Sequence, residues 1–190
     1  MLLRFLSGLG IYVNKTDLFF WGESVMSEST ENELNAYLSD EELRQALELL
    51  FFAYRDFTGE PDAILAGDGF GRAHHRVIYF VKRNPGITVN RLLGILKITK
   101  QSLSRVLGQL VREGYINQET DAGDRRRRIL ALTDKGDALE GRLTDCQSAR
   151  IGRAYKAAGA EAVQGFKAVL TQIINADDRA RFTGGGPHTD

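Results

Sequence analysis

The sequence is poor in the residues that staple or break a chain. Its 190 residues include one cysteine, three prolines and one tryptophan. A single cysteine, Cys146, excludes an intrachain disulfide framework and points to a reducing cytoplasm. Net charge is also lacking: lysine plus arginine and aspartate plus glutamate both number 25. The overall balance therefore names no polyanionic or polycationic partner. No uninterrupted apolar run reaches the ~20 residues that a bilayer crossing requires, because Asn14, Lys15 and Asp17 interrupt the apolar start. That start also lacks the clean apolar stretch and small-residue cleavage site of a signal peptide. Residues 1–38 are expected to be an N-terminal extension without fixed structure, with Met26 a plausible true start. No glycine-rich phosphate loop, nucleophile elbow or paired-carboxylate site is present, which argues against an enzyme and against a cofactor.

What is present is unevenly placed. From Glu23 to Asp62 eleven acids face only Arg44 and Arg55, a local net of −9. From Lys97 to Arg128 eight bases face Glu113, Glu119, Asp121 and Asp124, a local net of +4. Charge separated in this way suggests one face made for a polyanion.

Between the ends the periodicity is helical. Ser39 and Glu42 form a capping box before a stripe of Leu43, Ala46, Leu47, Leu50, Tyr54 and Phe57. Gly59, Pro61 and Gly67 are expected to end that helix. A second helix is predicted over 69–83, stopped by Asn84-Pro85-Gly86. Thr88 caps a short third helix and Thr99 a fourth that ends near Gly114. Strands are predicted near 115–119 and 126–132, joined by a turn containing Asp121 and Gly123. Thr133 caps a long helix, Gly159 interrupts it, and a last helix carries Val163, Phe166, Val169 and Ile173. The polar, glycine-rich residues 177–190 read as a disordered tail.

The third and fourth helices have helix-turn-helix spacing. On the fourth, Leu103, Val106, Leu107, Leu110 and Val111 form the inward stripe. The opposite face carries Gln101, Arg105, Gly108 and Arg112, flanked by Ser102, Ser104 and Gln109, without any acid. Thr99 and Lys100, at the N-terminal end of the helix, are candidate DNA contacts as well. Amides, hydroxyls and arginines are the groups that bond base edges and phosphates. The two strands that follow make a ribbon whose tip holds Arg125, Arg126, Arg127 and Arg128. Four cations there repel one another unless an anion lies between them, and a narrow minor groove supplies that anion. Asp124 stands two residues before Arg126, so it is placed to hold that guanidinium.

The segment "PGITVNRLLGILKITKQSLSRVLGQLVREGYINQETDAGDRRRRILALTDKG" resembles the core of the MarR family of winged-helix transcription regulators. The wing signature of that family, Asp-x-Arg followed by a strand ending Leu-Thr, is matched by Asp124-Arg125-Arg126 and Leu132-Thr133. The resemblance implies a mainly α fold with a small β-ribbon: a winged helix-turn-helix with flanking dimerisation helices. It implies an N-terminal dimerisation helix and linker over 39–68, a DNA-binding domain over 69–133 and C-terminal dimerisation helices over 134–176. It further implies a homodimer on a pseudo-palindromic double-stranded operator, Arg126 in the minor groove with Asp124 orienting it, and, in many members, release of DNA on binding a small phenolic or aromatic ligand. Tyr54, His75 and Tyr79, polar-tipped aromatics on helices expected to meet beneath the DNA-binding lobe, are candidate pocket residues. His74 and His75 point about 100° apart on a helix, so they do not chelate one metal readily. Cys146 sits on an apolar stripe and reads as a small buried hydrophobe. A competing reading keeps the winged helix but makes it a protein-interaction module. The outward face of the fourth helix argues against that, because it has none of the exposed aromatic anchors of protein interfaces.

Overall fold

A computed structural model describes residues 34–120, 123–124 and 127–183. The N-terminal extension up to residue 33, Met26 included, the wing-tip residues Asp121, Ala122, Arg125 and Arg126, and the last residues of the tail lie outside the described residues. In chain order the elements are α1 (Asp40–Ala66), α2 (Arg72–Arg83), α3 (Val89–Leu96), α4 (Lys100–Arg112), β1 (Ile116–Thr120), β2 (Arg128–Leu132), α5 (Asp134–Ala158), α6 (Ala160–Ile173) and α7 (Ala176–Thr183). The architecture is mainly α, with one antiparallel ribbon.

The start of α1 is fixed as its sequence dictates, with the Glu42 amide donating to Ser39 Oγ at 3.4 Å. Its end is not where turn-forming residues placed it. The helix runs through Gly59 and Pro61 to Ala66. Proline in a helix interior has no N–H for the carbonyl four residues earlier. Here that carbonyl belongs to Phe57, and Gln147 on α5 donates its side-chain amide to it at 3.3 Å. The hydrogen bond that Pro61 removes is thus replaced from another helix, and Pro61 itself is buried.

The core lies between residues 65 and 143. Leu65, Val77, Ile78, Leu92, Leu110 and Leu143 are each fully buried, and Leu103, Ile116, Leu130 and Leu139 nearly so. The caps at Thr88, Thr99 and Thr133 are all made, each hydroxyl accepting from the amide three residues on. In the ribbon Ile116 stands opposite Leu132 and Thr120 opposite Arg128. Leu130 is buried and Leu132 packs against the core, as alternation requires. A short third edge was not visible in the pattern: Thr88 bridges Ile129, and the Leu130 amide donates to Ile87 O at 2.9 Å.

The ribbon is locked to α5 at one close approach. A Cβ on Gly136 would stand 2.0 Å from the Tyr115 carbonyl oxygen, a distance no side chain tolerates. Thr133 Oγ1 donates to Gly114 O at 2.7 Å, and Lys135 Nζ lies 4.0 Å from the Tyr115 ring centroid.

The tail also differs from expectation. Residues 176–183 form α7 rather than irregular chain. Asp177 and Asp178 lie in its first turn, where the helix dipole favours acids. Arg179 donates to the carbonyls of Gln172 and Ile174 at 2.8 Å each, satisfying acceptors at the end of α6. Lys97 pairs with Asp178 at 2.7 Å. Composition hides the Lys97–Asp178 pair because its partners stand 81 residues apart.

Candidate nucleic-acid interface and pocket

The outward face of α4 carries the residues its sequence placed there. Thr99, Lys100, Gln101, Ser102, Ser104, Arg105, Gly108 and Arg112 are exposed, while Leu103, Val106, Leu107 and Leu110 are buried. Neither Lys100 nor Arg105 has an ion-pair partner among the described residues, whereas Arg112 lies 3.8 Å from Glu113. A Cβ on Gly108 would meet no atom within 4 Å, so its lack of a side chain leaves a flat, open strip rather than serving internal packing. Thr99 combines two duties: its hydroxyl caps α4 and donates to Ser102 Oγ at 2.9 Å. The turn before it places Lys97 at φ 49°, a left-handed conformation that L-residues adopt only at a cost.

Gln109 differs from its neighbours. It is half-buried, and its Oε1 lies 3.0 Å from His74 Nε2 on α2.

In the wing, Asp124 and Arg127 are exposed, and the Arg127 amide donates to Asp124 O at 2.9 Å. Arg128, on the solvent side of the ribbon, bonds Thr120 Oγ1 across it. Arg125 and Arg126 belong to the residues outside the description, so the expected Asp124–Arg126 pair rests on sequence alone.

A second site is concave. Tyr54, His75 and Tyr79 line one cavity of about 590 Å³ together with residues of α1, α2 and α5. Sequence reading missed most of its polar wall. Arg72 and Arg76 come from α2, and Thr144, Gln147 and Ser148 from α5. Arg76 Nη2 donates to the Tyr54 hydroxyl at 3.1 Å, and the Arg72 guanidinium stands 5.5 Å from the Tyr54 ring centroid while pairing with Asp62 at 2.7 Å. Burial lowers the His75 pKa from its ordinary value of 6.5, against the opposing pull of Asp62 and Glu140. The cavity thus joins aromatic walls to two guanidinium groups and a neutral imidazole. The i, i+4 spacing of Arg72, Arg76 and Phe80, with His75 and Tyr79 beside them, was the available signal in the sequence.

Cys146 is half-buried and donates its S–H to Leu143 O at 3.1 Å; burial pushes its pKa above the ordinary 9.0. No helix among the described residues is long and apolar enough to cross a membrane.

A family model described as the MarR family matches residues 68–127. An HTH-type transcriptional regulator, PetP, from Rhodobacter capsulatus is 46% identical over 146 residues, which span 77% of this chain and 88% of that protein. Among solved structures, Streptococcus pneumoniae FabT in complex with DNA aligns with a TM-score of 0.63 at 20% identity, over 69% of this chain and 94% of its own. A MarR transcriptional regulator from Methanosarcina mazei Go1 aligns with a TM-score of 0.55 at 22% identity, over 68% and 96%. At that identity the two structures speak for the fold, a winged helix with flanking helices.

Proposed function

The chain belongs to the MarR family of DNA-binding transcription regulators, and from that premise we propose that a homodimer of it reads a pseudo-palindromic operator with α4 in the major groove and the wing in the minor groove. The observation that carries this reading is the acid-free, exposed face of α4, where Lys100 and Arg105 have no ion-pair partner among the described residues, beside the flat strip at Gly108. Gln101 and Arg105 lie in the N-terminal half of the helix, where base edges are read. Arg126 enters the minor groove, oriented by Asp124, and Arg125 and Arg127 meet phosphates. The protein acts in the cytoplasm as a repressor and carries out no catalysis of its own.

Dimerisation rests on apolar surface that the single chain leaves open. On α1 Leu47 and Phe51 are 69% and 63% exposed, and on α6 Val169 and Ile173 are each 60% exposed. Each such side chain gains about 1.5–3 kcal/mol on full burial, and a symmetry mate offers the same stripes in return.

The cavity at Tyr54, His75 and Tyr79 takes a small aromatic acid. Its carboxylate pairs with Arg76 or Arg72 and its ring lies against Phe57 and Phe80. Occupancy between α1, α2 and α5 shifts the DNA-binding lobe and releases the operator. A calorimetric screen with aromatic carboxylates tests this; the absence of any binder that weakens the DNA complex overturns it.

The DNA reading is tested by salt titrations on operator and scrambled duplexes. Arg105→Ala costs about 1–3 kcal/mol and relaxes preference at particular base pairs. Arg126→Ala weakens binding to all sequences and lowers the slope of log affinity against log salt by about 1 per subunit. If Arg126→Ala lost only specificity, or Arg105→Ala bound as wild type does, the assignment of helix and wing to grooves fails.

A further inference from the structure

We infer that His74 is a positioning residue that fixes the amide of Gln109 with its NH₂ outward, so that Gln109 donates to a DNA phosphate and does not read a base. The inference rests on the proposed docking of α4.

One group beside His74 has a hydrogen-bonding role without freedom. The backbone N–H of Gly71, just before α2, can only donate, and it donates to His74 Nδ1 at 3.1 Å. Nδ1 therefore carries no proton. In a neutral imidazole the proton then resides on Nε2. Nε2 lies 3.0 Å from the Gln109 side chain, and an N–H there requires an acceptor. The Gln109 oxygen must face His74, and its NH₂ must face away. Turning the ring over would put Cδ2 against the Gly71 N–H and Cε1 against Gln109, losing both hydrogen bonds, while the stack on Phe70 at 4.8 Å between centroids, with planes 20° apart, holds the ring plane. The Gly71 N–H thus sets, through an imidazole, the orientation of an amide that stands 35 residues beyond that imidazole.

The consequence follows from where Gln109 sits. It is four residues after Arg105, so it lies about 40° from that residue around α4 at ~100° per residue, and its outer end borders the exposed face. Glutamine reads adenine with both its oxygen and its NH₂. Here the oxygen is already engaged by His74, which removes that mode and leaves a pure donor. Gln109 also lies in the C-terminal half of α4, away from the end that reads base edges. A neutral donor at that place suits a phosphate oxygen, which fixes register without carrying sequence information.

The test uses the full-length protein. Long-range ¹⁵N correlation spectra of the histidine rings should show His74 with an unprotonated Nδ1 and a protonated Nε2; the opposite tautomer overturns the inference without touching the docking of α4. Gln109→Glu keeps an acceptor for His74 but turns the outward donor into an anion. It should weaken binding about tenfold or more, equally on a selected operator and a scrambled duplex. His74→Glu still accepts from Gly71 but can only accept from Gln109, so the amide reverses. It should weaken binding by a similar factor, while His74→Gln, which can both accept and donate, restores most of it. Unchanged melting temperatures show that the variants are folded. Arg105→Ala serves as the control. If it weakens binding while Gln109→Glu binds like wild type, the role given to Gln109 is wrong and the docking stands; if neither matters, the docking itself is wrong.

Discussion

Two regions of this chain solve the problem of apolar surface in opposite ways. The winged-helix lobe closes its core within one chain: among the described residues, the buried hydrophobic side chains other than Pro61 fall between Leu65 and Leu143. α6 and the first half of α1 have stripes of the same quality and leave them open. α6 has no buried residue at all, although Val163, Phe166, Val169 and Ile173 recur along it. The first half of α1 exposes Leu43, Leu47, Leu50 and Phe51. An apolar stripe buried by its own chain contributes to folding, and one left exposed is available for association. The proposed DNA-reading surface lies on the self-sufficient region and the proposed dimer surface on the dependent one.

That contrast can be broken most sharply at the open stripes. Leu47→Asp puts a charge where a partner would bury leucine, so the dimer should dissociate and operator binding fall by orders of magnitude, while circular dichroism keeps its helical signature. Sedimentation velocity reads the outcome; a persistent dimer would show that another surface holds it. Leu110→Ala attacks the closed core instead and should cost about 2–5 kcal/mol of stability in a urea titration, because Leu110 is wholly buried. An Ala at Leu47 should cost the folded lobe far less than that, and equal losses would erase the distinction drawn between the two regions.

A smaller effect is expected at His75. Its pKa in the folded protein is lowered by burial, so the unfolded chain binds the proton more readily. Stability should therefore be undiminished well above pH 6.5 and should decline as pH falls from there through the lowered folded pKa. His75→Gln should flatten the stability curve in that window, which thermal melts from pH 8 to pH 5 would record. The smallest effect belongs to Cys146. Its thiol is half-buried, bonded to Leu143 O and raised in pKa, so it stays protonated at neutral pH and is a poor nucleophile. Peroxide should leave operator binding unchanged, in wild type and in Cys146→Ser alike. A loss of binding confined to wild type would show a redox role.

The parts legible in the sequence were those governed by local periodicity and local hydrogen bonds. The caps at Ser39, Thr88, Thr99 and Thr133, the two faces of α4 and the alternation of Leu130 and Leu132 each follow from residues within one or two turns of one another. The meeting of Tyr54, His75 and Tyr79 in one cavity was also anticipated, although Arg72, Arg76 and Gln147 on its wall were not. Tertiary structure decided the rest, because the deciding partner lay far along the chain. Pro61 does not end α1, since Gln147 supplies the Phe57 carbonyl with a donor from 90 residues away. The tail after residue 175 becomes helical, with Asp178 paired to Lys97, 81 residues before it. Gln109, one more polar residue on an outward face by periodicity, is turned by His74. Residue type and a fixed helical repeat are enough to settle which stripes are apolar and which face is cationic. Which stripe closes on its own chain, which stays open, and which amide group points outward depend on contacts whose geometry exists only once distant segments have packed.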